Sequence, residues 1–249
     1  MSSLRPDGAL SVEQGLVRVW TVRLEASEPR FDRAAALLSA DEAARAARFH
    51  FDRHRRAFVL GRAAMRILLG ELLGQPPQDI QFGYGPNGKP YLIGCSWLCF
   101  NASNSGDLAA YACTQDCAIG IDIEQLRPMP EIQDIARRFF AAEEVAELMS
   151  LPEPERPGGF FRCWTRKEAY IKAVGDGLSL PLDSFRVSLR PDHAAQMLHL
   201  GGSVDAARNW SMHAFTPAEN YFGAVVYPAQ ARRVEFHPLR PVQELLDGL

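Results

Sequence analysis

The 249-residue chain lacks any apolar run of the roughly 18 residues that a membrane-spanning helix needs. Its opening, MSSLRPDGALSVEQG, also lacks the basic and apolar blocks of a secretion signal. A surplus of charge of one sign is absent as well, because the formal net charge is only -3. These absences predict a cytoplasmic protein with no membrane contact, and they give no electrostatic reason to expect a nucleic-acid partner.

Cysteine is scarce, and its spacing argues against a metal or disulfide framework. The five cysteines include two pairs with C-x₃-C spacing, Cys95 with Cys99 and Cys113 with Cys117. Both pairs lie in segments that look like strands, where a four-residue step spans about 13 Å, too far for one zinc ion or one disulfide within a pair. We therefore expect reduced thiols, which fits a cytosolic protein.

The chain does contain enough apolar residues, 47%, to bury a sizeable core, and its two halves echo each other. Each half has a long amphipathic helix that ends at glycine, then a proline, an aspartate two residues later and a strand, at 77–82 and again at 181–187. This pattern predicts an α+β fold built from two similar subdomains, 1–120 and 121–249. A ligand site is expected in the cleft between them.

The stretch from Phe160 to Val174 has the apolar periodicity of a half-buried helix, and Gly175 is expected to end it. Glu168 and Lys172, four residues apart, share one flank of this helix and point together off the edge of its buried face. Lys167 falls in the middle of the apolar arc, where an ammonium group is costly unless it meets an anion. We interpret this lysine as a first indication of a site.

The segment GIDIE, residues 120–124, alternates like a strand, which places Asp122 and Glu124 side by side on one face. Two neighbouring carboxylates repel each other unless a cation lies between them, and a hard cation such as Mg²⁺ prefers oxygen ligands. If the helix crosses this strand, Glu168 can complete a metal site and Lys172 can neutralise a phosphate on the same ion. The alternative is a surface ion-pair network.

Basic residues gather between positions 41 and 66, against a net acidic background. The arginines of this segment are Arg45, Arg48, Arg53, Arg55, Arg56, Arg62 and Arg66. Such segregation indicates an anionic partner or ligand, although a solvated helix face is an equally good interpretation. Further on, the polar segment 103–105 lies just before Gly106, and it fits either a phosphate-binding loop or a plain turn.

Six motifs occur together in one order: GPNGKPYL, FNASNSGD, GIDIE, RFFAAEEVAEL, FRCWTRKEAYIKA and GLSLPLDSF. In this combination the chain resembles the 4′-phosphopantetheinyl transferases of the larger, pseudo-dimeric, surfactin-synthetase-associated type, over roughly residues 40 to 190. The resemblance implies transfer of the phosphopantetheine arm of coenzyme A to a serine hydroxyl of an apo acyl or peptidyl carrier protein. Adenosine 3′,5′-bisphosphate would be released, and a monomer is expected.

The same resemblance implies roles for residues of the second half. Asp122, Glu124 and Glu168 would hold Mg²⁺, or Mn²⁺, against the pyrophosphate of coenzyme A. Glu168, Lys172 and Glu144 would form the catalytic set, in which Lys172 contacts the pyrophosphate and Glu144 takes the proton of the carrier serine. The neighbouring Glu143 could compete with Glu144 for that proton.

Nucleotide-binding residues are implied in the same way. They are Arg45, Lys89, Ser103, Asn104, Ser105 and Lys172. The chain departs from the family at Asn104, where a histidine is usual, and at Asp176, where a basic residue is common. A neutral amide at position 104 predicts weaker discrimination between coenzyme A and its 3′-dephospho form.

Two other functions use the same residues. A Mg²⁺-dependent phosphoesterase acting on coenzyme A or related nucleotides would need the three carboxylates but no carrier protein. A binding protein without enzymatic activity would use only the basic first half to dock an acidic partner.

Overall fold

The computed structural model describes residues 13–175, 177–228 and 232–249, and within them two stretches share one order of elements. The elements of the first stretch are β1 (Leu16–Arg23), α1 (Glu28–Ala36), α2 (Ala40–Ala46), α3 (Asp52–Leu73), β2 (Phe82–Tyr84), β3 (Pro90–Leu92), β4 (Leu98–Ser105) and β5 (Leu108–Gln115). A short 3-10 turn, Pro77–Asp79, follows α3.

The second stretch repeats this order with one added helix. Its elements are β6 (Gly120–Gln125), α4 (Ile132–Phe139), α5 (Ala142–Ser150), α6 (Arg156–Val174), β7 (Phe185–Val187), β8 (Met197–Leu200), α7 (Val204–Ala207), β9 (Trp210–Phe215) and β10 (Tyr221–Pro228). A 3-10 turn, Leu182–Ser184, lies between α6 and β7, so each long helix is followed by such a turn and a hairpin.

Strand pairing repeats as well. In the first stretch β1 pairs antiparallel with β5, which pairs with β4, and in the second stretch β6 pairs antiparallel with β10, which pairs with β9. Two small hairpins, β2 with β3 and β7 with β8, stand at matching places. The α+β fold predicted from the sequence is thereby confirmed.

The end of the chain returns to the first stretch. Strands β11 (Arg233–Phe236) and β12 (Arg240–Pro241) pair parallel with β1. Helix α8 (Val242–Asp247) buries Leu245 and Leu246 in the core that surrounds α3. The last segment of the predicted second subdomain, 121–249, therefore packs on the sheet of the first stretch. Neither the strand nor the short amphipathic tail carries a sequence signal for the partner on which it packs.

Three apolar cores hold the described residues together. One surrounds α3, one surrounds α6, and the third lies between the two sheets, where Ile119, Ile121 and Ile123 meet residues of β1 and β5. All five cysteines are free. Within the described ranges, every helix is too short or too polar to cross a bilayer.

Helix α6 confirms one sequence expectation and corrects another. It ends at Gly175, whose φ of 89° is a left-handed conformation that glycine adopts without a steric penalty. It begins at Arg156, four residues before the expected start at Phe160. Pro157 does not prevent this earlier start. The backbone N–H groups of a first helical turn have no partner within the helix, so the missing N–H of a proline costs no hydrogen bond there.

Candidate active site

Gly120 lets α6 lie directly on strand β6. A Cβ atom at this position would overlap the carbonyl oxygen of Ala169 and the amide nitrogen of Ala173. No other residue type allows this approach of helix backbone to strand backbone. The close crossing brings the flank of α6 that carries Glu168 and Lys172 over the face of β6 that carries Asp122.

Asp122 is the most enclosed carboxylate of this crossing, with 5% of its surface exposed. Its Oδ1 accepts hydrogen bonds from Lys172 Nζ at 2.7 Å and from Ser103 Oγ at 2.8 Å. Its Oδ2 is buried and has no hydrogen-bond partner among the residues that the structure describes. Burial raises the pKa of Asp122, and the positive charge of Lys172 opposes that shift. The carboxylate is therefore incompletely compensated.

Glu168 faces the same acidic surroundings from the helix. It is half-buried and makes no hydrogen bond or ion pair with any residue that the structure describes. Burial raises its pKa first, and the negative charges of Asp122 and Glu124 raise it further, against the effect of Lys172. Asp122, Glu124 and Glu168 are thus close enough to repel one another.

Glu124 lies two residues along β6 from Asp122 and faces the same way. Its Oε2 accepts hydrogen bonds from Ser105 Oγ at 2.7 Å and from the Arg127 guanidinium at 3.1 Å. Two hydroxyl groups of strand β4 thus donate hydrogen bonds to the two carboxylates of β6, Ser103 to Asp122 and Ser105 to Glu124. These bonds cross the seam between the two halves.

The donor set of this seam fits a hard divalent cation. Asp122 offers a buried oxygen without a partner, and Glu168 offers an unpaired carboxylate in a field of like charge. Within the described residues no group of three metal-binding side chains is already gathered around one point. Lys172 Nζ already contacts Asp122 Oδ1 at 2.7 Å, so it must share Asp122 with an incoming ion.

Two adjoining cavities open along β4 beside these carboxylates. One, of about 240 Å³, is lined by Glu168 and Lys172, and the other, of about 200 Å³, is lined by Arg45 and Asn104. Both touch Pro90, Asn101 and Ala102, so they form one cleft. The cleft runs from an acidic end at the seam to a basic end in the first half.

The basic end contains two arginines on different helices. Arg45 of α2 is exposed and lies over the ring of Phe58, 5.2 Å from the ring centre, and Asn104 is exposed at the opposite wall. Arg62 of α3 also lines this cavity. Its buried NH1 lies 3.7 Å from Glu42 Oε1 and makes no hydrogen bond with the described residues. Sequence reasoning named Arg62 only as one of seven arginines and gave it no role of its own, although its spacing of four from Arg66 places both on one flank of the helix.

Lys89 is placed beside the cleft but is already engaged. Its Nζ donates to the carbonyl oxygens of Ile119 at 3.1 Å, Lys172 at 2.5 Å and Ala173 at 3.3 Å. Burial lowers the pKa of this ammonium. In this arrangement Lys89 joins the end of α6 to the strand β6, where free helix carbonyls attract a cation. Its predicted contact with nucleotide stays a prediction.

Glu144 requires a correction, because the structure encloses it completely. Only 1% of its surface is exposed, and both carboxylate oxygens are occupied. Oε2 accepts from the amide of Ala141 at 2.9 Å and lies 2.7 Å from Lys167 Nζ, while Oε1 accepts from the amide of Val187 at 2.7 Å. No carrier serine can reach this carboxylate in the described conformation. The competing Glu143 is exposed and pairs with Arg186.

The interpretation of Lys167 as an indication of a site also requires correction. It is fully buried, and besides Glu144 it donates to the carbonyl oxygens of Leu182 at 2.8 Å and Phe185 at 2.6 Å. The cation on the apolar arc of α6 therefore marks a buried ion pair that fastens α5 and the turn after α6 to the helix. It does not mark a substrate site. Asp176 lies outside the described residues.

The chain has two similar α+β halves, with three carboxylates and a lysine where the halves meet. These features are those of the class predicted from the sequence, an internally duplicated enzyme that acts on phosphate groups. Comparison with known families gives the class its name. Residues 118–226 match the model of the 4′-phosphopantetheinyl transferase superfamily, and residues 23–116 match the model described as 4′-phosphopantetheinyl transferase, N-terminal.

Curated relatives agree over most of the chain. The 4′-phosphopantetheinyl transferase HetI of Nostoc sp. is 40% identical over 212 residues, which is 84% of this chain and 86% of the relative. The transferase psf-1 of Bacillus pumilus is 35% identical over 190 residues, 73% of this chain and 80% of the relative. Sfp of Bacillus subtilis is 32% identical over 166 residues, 67% of this chain and 73% of the relative.

A solved holo-[acyl-carrier-protein] synthase from Thermotoga maritima covers 47% of this chain and 64% of its own chain, with 18% identity and a TM-score of 0.35, too low to carry an argument. The sequence matches decide the matter. The chain belongs to the 4′-phosphopantetheinyl transferase superfamily, and the family and enzyme class predicted from its motifs are confirmed.

Proposed function

We propose that this protein transfers the 4′-phosphopantetheine group of coenzyme A to a serine hydroxyl of an apo acyl or peptidyl carrier protein and releases adenosine 3′,5′-bisphosphate. The observation that carries the proposal is the crossing of α6 over β6 at Gly120, which sets Glu168 and Lys172 against Asp122 beside an open cleft. The names of the relatives support the same reaction.

Asp122, Glu124 and Glu168 are proposed to hold Mg²⁺, and Mn²⁺ would suit the same oxygen ligands. The bound ion would neutralise charge on the pyrophosphate of coenzyme A. The unpaired oxygen of Asp122 and the raised pKa values of Asp122 and Glu168 support this assignment, because both carboxylates gain from a nearby cation.

Lys172 is proposed to contact the pyrophosphate. Its ammonium is partly exposed at the acidic end of the cleft and is held by Asp122 and Ser103 at 2.7 and 2.9 Å. Attack on phosphorus needs charge neutralisation and in-line positioning more than covalent help from the protein. A lysine that already shares Asp122 with the proposed metal would supply such charge at the reacting group.

The adenosine end of coenzyme A is proposed to lie in the basic end of the cleft. Arg45, Arg62 and Asn104 line this part and present two cations and one amide. A guanidinium group suits a phosphate monoester, whereas the amide of Asn104 adds a hydrogen bond without charge. Ser103 and Ser105 act through the carboxylates that they contact, rather than as phosphate ligands of their own.

The partners proposed are coenzyme A and a carrier protein, in the cytoplasm, without nucleic acid or membrane. One chain supplies both walls of the cleft, because β4 comes from the first half and α6 from the second. A second subunit is therefore not needed to complete the site, which supports a monomer. Light scattering after gel filtration measures this directly, and a stable dimer would contradict it.

The test is an incubation of the purified protein with coenzyme A, Mg²⁺ and an apo carrier domain, followed by mass spectrometry. The carrier is expected to gain one phosphopantetheine group, and a carrier with its serine replaced by alanine should gain nothing. Consumption of coenzyme A without any carrier would instead favour the phosphoesterase. Asp122→Asn serves as the matched variant, and full activity in that variant would contradict the proposed site.

A further inference from the structure

A separate cavity of about 540 Å³ lies between α6 and strands β9 and β10 of the second half. None of its lining residues lines either cavity of the candidate active site. Its volume is in the range of sites for small organic ligands and far exceeds that needed for an inorganic ion. None of the residues proposed above for the transfer reaction lines this cavity.

The cavity is cationic on its helix side. Arg166 is 3% exposed, and its NH1 donates to the carbonyl and hydroxyl oxygens of Ser188. Its buried Nε has no hydrogen-bond partner within the described part of the chain. Arg162, one turn earlier, donates from Nε to the carbonyl oxygen of Leu189 at 2.8 Å. Two guanidinium groups four residues apart repel each other, which is costly in a buried place unless an anion joins them.

Acidic compensation is weak around these two arginines. The described lining of the cavity contains no aspartate or glutamate. Glu155 and Asp192 act on Arg162 from a distance, and neither forms an ion pair with it. Burial and the charge of Arg162 lower the pKa of Arg166 to about 10, so both groups remain charged near neutral pH.

The opposite walls are apolar and aromatic. Phe215, Phe222 and Phe236 line the cavity, and the guanidinium of Arg162 lies 5.6 Å from the ring centre of Phe222. Another lining residue, His213, is hydrogen-bonded to a tyrosine hydroxyl, and burial lowers its pKa, so it adds no charge near neutral pH. The cavity thus combines two cations at one end with flat apolar surfaces at the other, which suit a planar ring.

The duplication explains where this cavity comes from. Arg162 and Arg166 lie five residues and one residue before the buried Lys167, and Gly61 and Met65 hold the same places before Arg66 in the first half. Gly61 and Met65 line the basic end of the active-site cleft, between α3 and strands β4 and β5. The second half therefore has a corresponding cleft. Both of its arginines, Arg162 and Arg166, lie on the long helix, whereas the first-half cleft has Arg45 on α2 and Arg62 on α3.

We propose that this second cleft binds a phosphate or phosphate monoester attached to a planar ring, of the nucleoside monophosphate class, at a site separate from the coenzyme A cleft. The phosphate accepts hydrogen bonds from Arg166 Nε and from the Arg162 guanidinium, and the ring lies among the phenylalanines. The proposal does not depend on the transfer reaction, because no residue of the proposed metal site takes part in it.

The experiment uses methionine methyl groups as local reporters. Met212 lines the second cleft and Met65 lines the active-site cleft, so ¹³C-methyl spectra of the full chain report on each site separately. Substitution of each methionine by leucine assigns its signal. Adenosine 5′-monophosphate is titrated, and a saturable shift of the Met212 signal is expected with a Kd below about 1 mM. Adenosine and inorganic phosphate, titrated separately, should each bind at least about tenfold more weakly.

Arg162→Gln and Arg166→Met are the test variants, and the second copies the residue found at Met65. Each should weaken the Met212 response at least about tenfold and leave phosphopantetheine transfer unchanged. Arg162→Gln remains informative if Arg166→Met unfolds, because Arg162 is the less buried of the two. An unchanged Met212 titration in Arg162→Gln overturns the proposal, as does a wild-type Met212 signal that stays still. Equal binding of phosphate and nucleotide overturns the part played by the ring.

Discussion

Each half contains a fully buried acid–cation pair at the same place in the fold. In the first half, Glu42 near the start of α2 lies 2.8 Å from Arg66 Nε, and both side chains are 1% exposed. In the second half, Glu144 near the start of α5 lies 2.7 Å from Lys167 Nζ, with side-chain exposures of 1% and 0%. Both carboxylates also cap their helix through the amide three residues earlier.

The cations match in their other contacts too. Arg66 donates to the carbonyl oxygens of Pro77 and Ile80, in and just after the turn that follows α3. Lys167 donates to those of Leu182 and Phe185, in and just after the turn that follows α6. Each pair therefore ties three segments of its half together. Because the first-half pair lies away from the metal site, its equivalent Glu144–Lys167 is best explained as structure rather than chemistry.

The halves differ at the very next position. Arg66 is followed by Ile67 in the apolar core, whereas Lys167 is followed by Glu168 at the seam. Five residues after each cation the chain has Glu71 in the first half and Lys172 in the second. The comparison teaches that the duplication preserved the framework twice, while only α6 carries a carboxylate and a lysine at the proposed metal site.

The largest effect is expected from a substitution at the proposed metal site, to which, of the two long helices, only that of the second half contributes a ligand. Glu168→Gln removes one of three carboxylates and should lower the rate of transfer by at least about 10³-fold, because the metal would lose a ligand at the reacting group. Glu71→Gln, on the equivalent helix, should leave the rate unchanged. Single-turnover transfer to a carrier domain measures both, and substantial turnover in Glu168→Gln would remove this residue from the metal site.

Loss of activity in Glu168→Gln should not reflect unfolding. The folded-state pKa of Glu168 is raised, so its charge opposes folding above the ordinary pKa of a glutamate. Without metal, the variant should therefore melt at an equal or higher temperature than the wild type at neutral pH. The difference should vanish as the pH falls below the ordinary pKa, where the wild-type side chain is protonated in both states.

The second effect tests the equivalence of the two ion pairs. Glu144→Gln and Glu42→Gln each leave a buried cation without its counter-charge and should each lower the free energy of unfolding by about 3–5 kcal/mol. Urea unfolding measures the loss. The turnover rate per folded molecule at saturating coenzyme A should stay near wild type in both variants, although Glu42→Gln can change the affinity for coenzyme A because Glu42 also pairs with Arg62. If Glu144→Gln alone lost turnover while remaining folded, Glu144 would act in catalysis after all.

The third effect concerns the close crossing of α6 and β6. Gly120→Ala places a methyl group against the backbone of α6 and should cost about 1–3 kcal/mol or more, together with activity. Gly61→Ala on α3 is the control for adding a methyl group where space exists, because that methyl would lie 3.6 Å from the hydroxyl of Tyr111, an ordinary contact. It should stabilise the protein by about 0.5–1 kcal/mol. Equal effects in the two variants would show that Gly120 does not set the crossing.

The smallest effect lies at the basic end of the cleft. Asn104→His can add a positive charge beside the proposed position of the 3′-phosphate. It should raise the preference for coenzyme A over its dephospho form by up to about tenfold, or about 1.4 kcal/mol. Competition between the two substrates at pH 6 measures this preference. A preference that is unchanged or lower in the variant would place the phosphate elsewhere.

The strand and helix that build the seam were predictable because their signals are local. The alternation of GIDIE fixed the face of Asp122, and the four-residue spacing of Glu168 and Lys172 fixed their shared flank. The motifs identified the family. A proline, an aspartate and a strand follow each long helix, and this repeated order predicted a duplication. The strand pairing has the same order in both stretches.

Contacts between residues far apart in the sequence were not predictable from the sequence alone. A lysine on an apolar arc looks the same whether it meets a substrate or a buried carboxylate, and the partner of Lys167 lies 23 positions away. Glu144 therefore looked like a base, although its neighbours enclose it. The contacts of Lys89 with carbonyl groups and of the tail at 233–247 with a strand edge were unpredictable for the same reason, because those partners carry no sequence signal.

The shared metal ion is most directly tested by Mn²⁺ binding, followed by electron paramagnetic resonance in the presence of coenzyme A. Wild type should bind one Mn²⁺ per chain, and Asp122→Asn and Glu168→Gln should each weaken binding by at least about tenfold, while Glu71→Gln binds as wild type does. Wild-type affinity in both Asp122→Asn and Glu168→Gln would contradict a metal ion shared between β6 and α6.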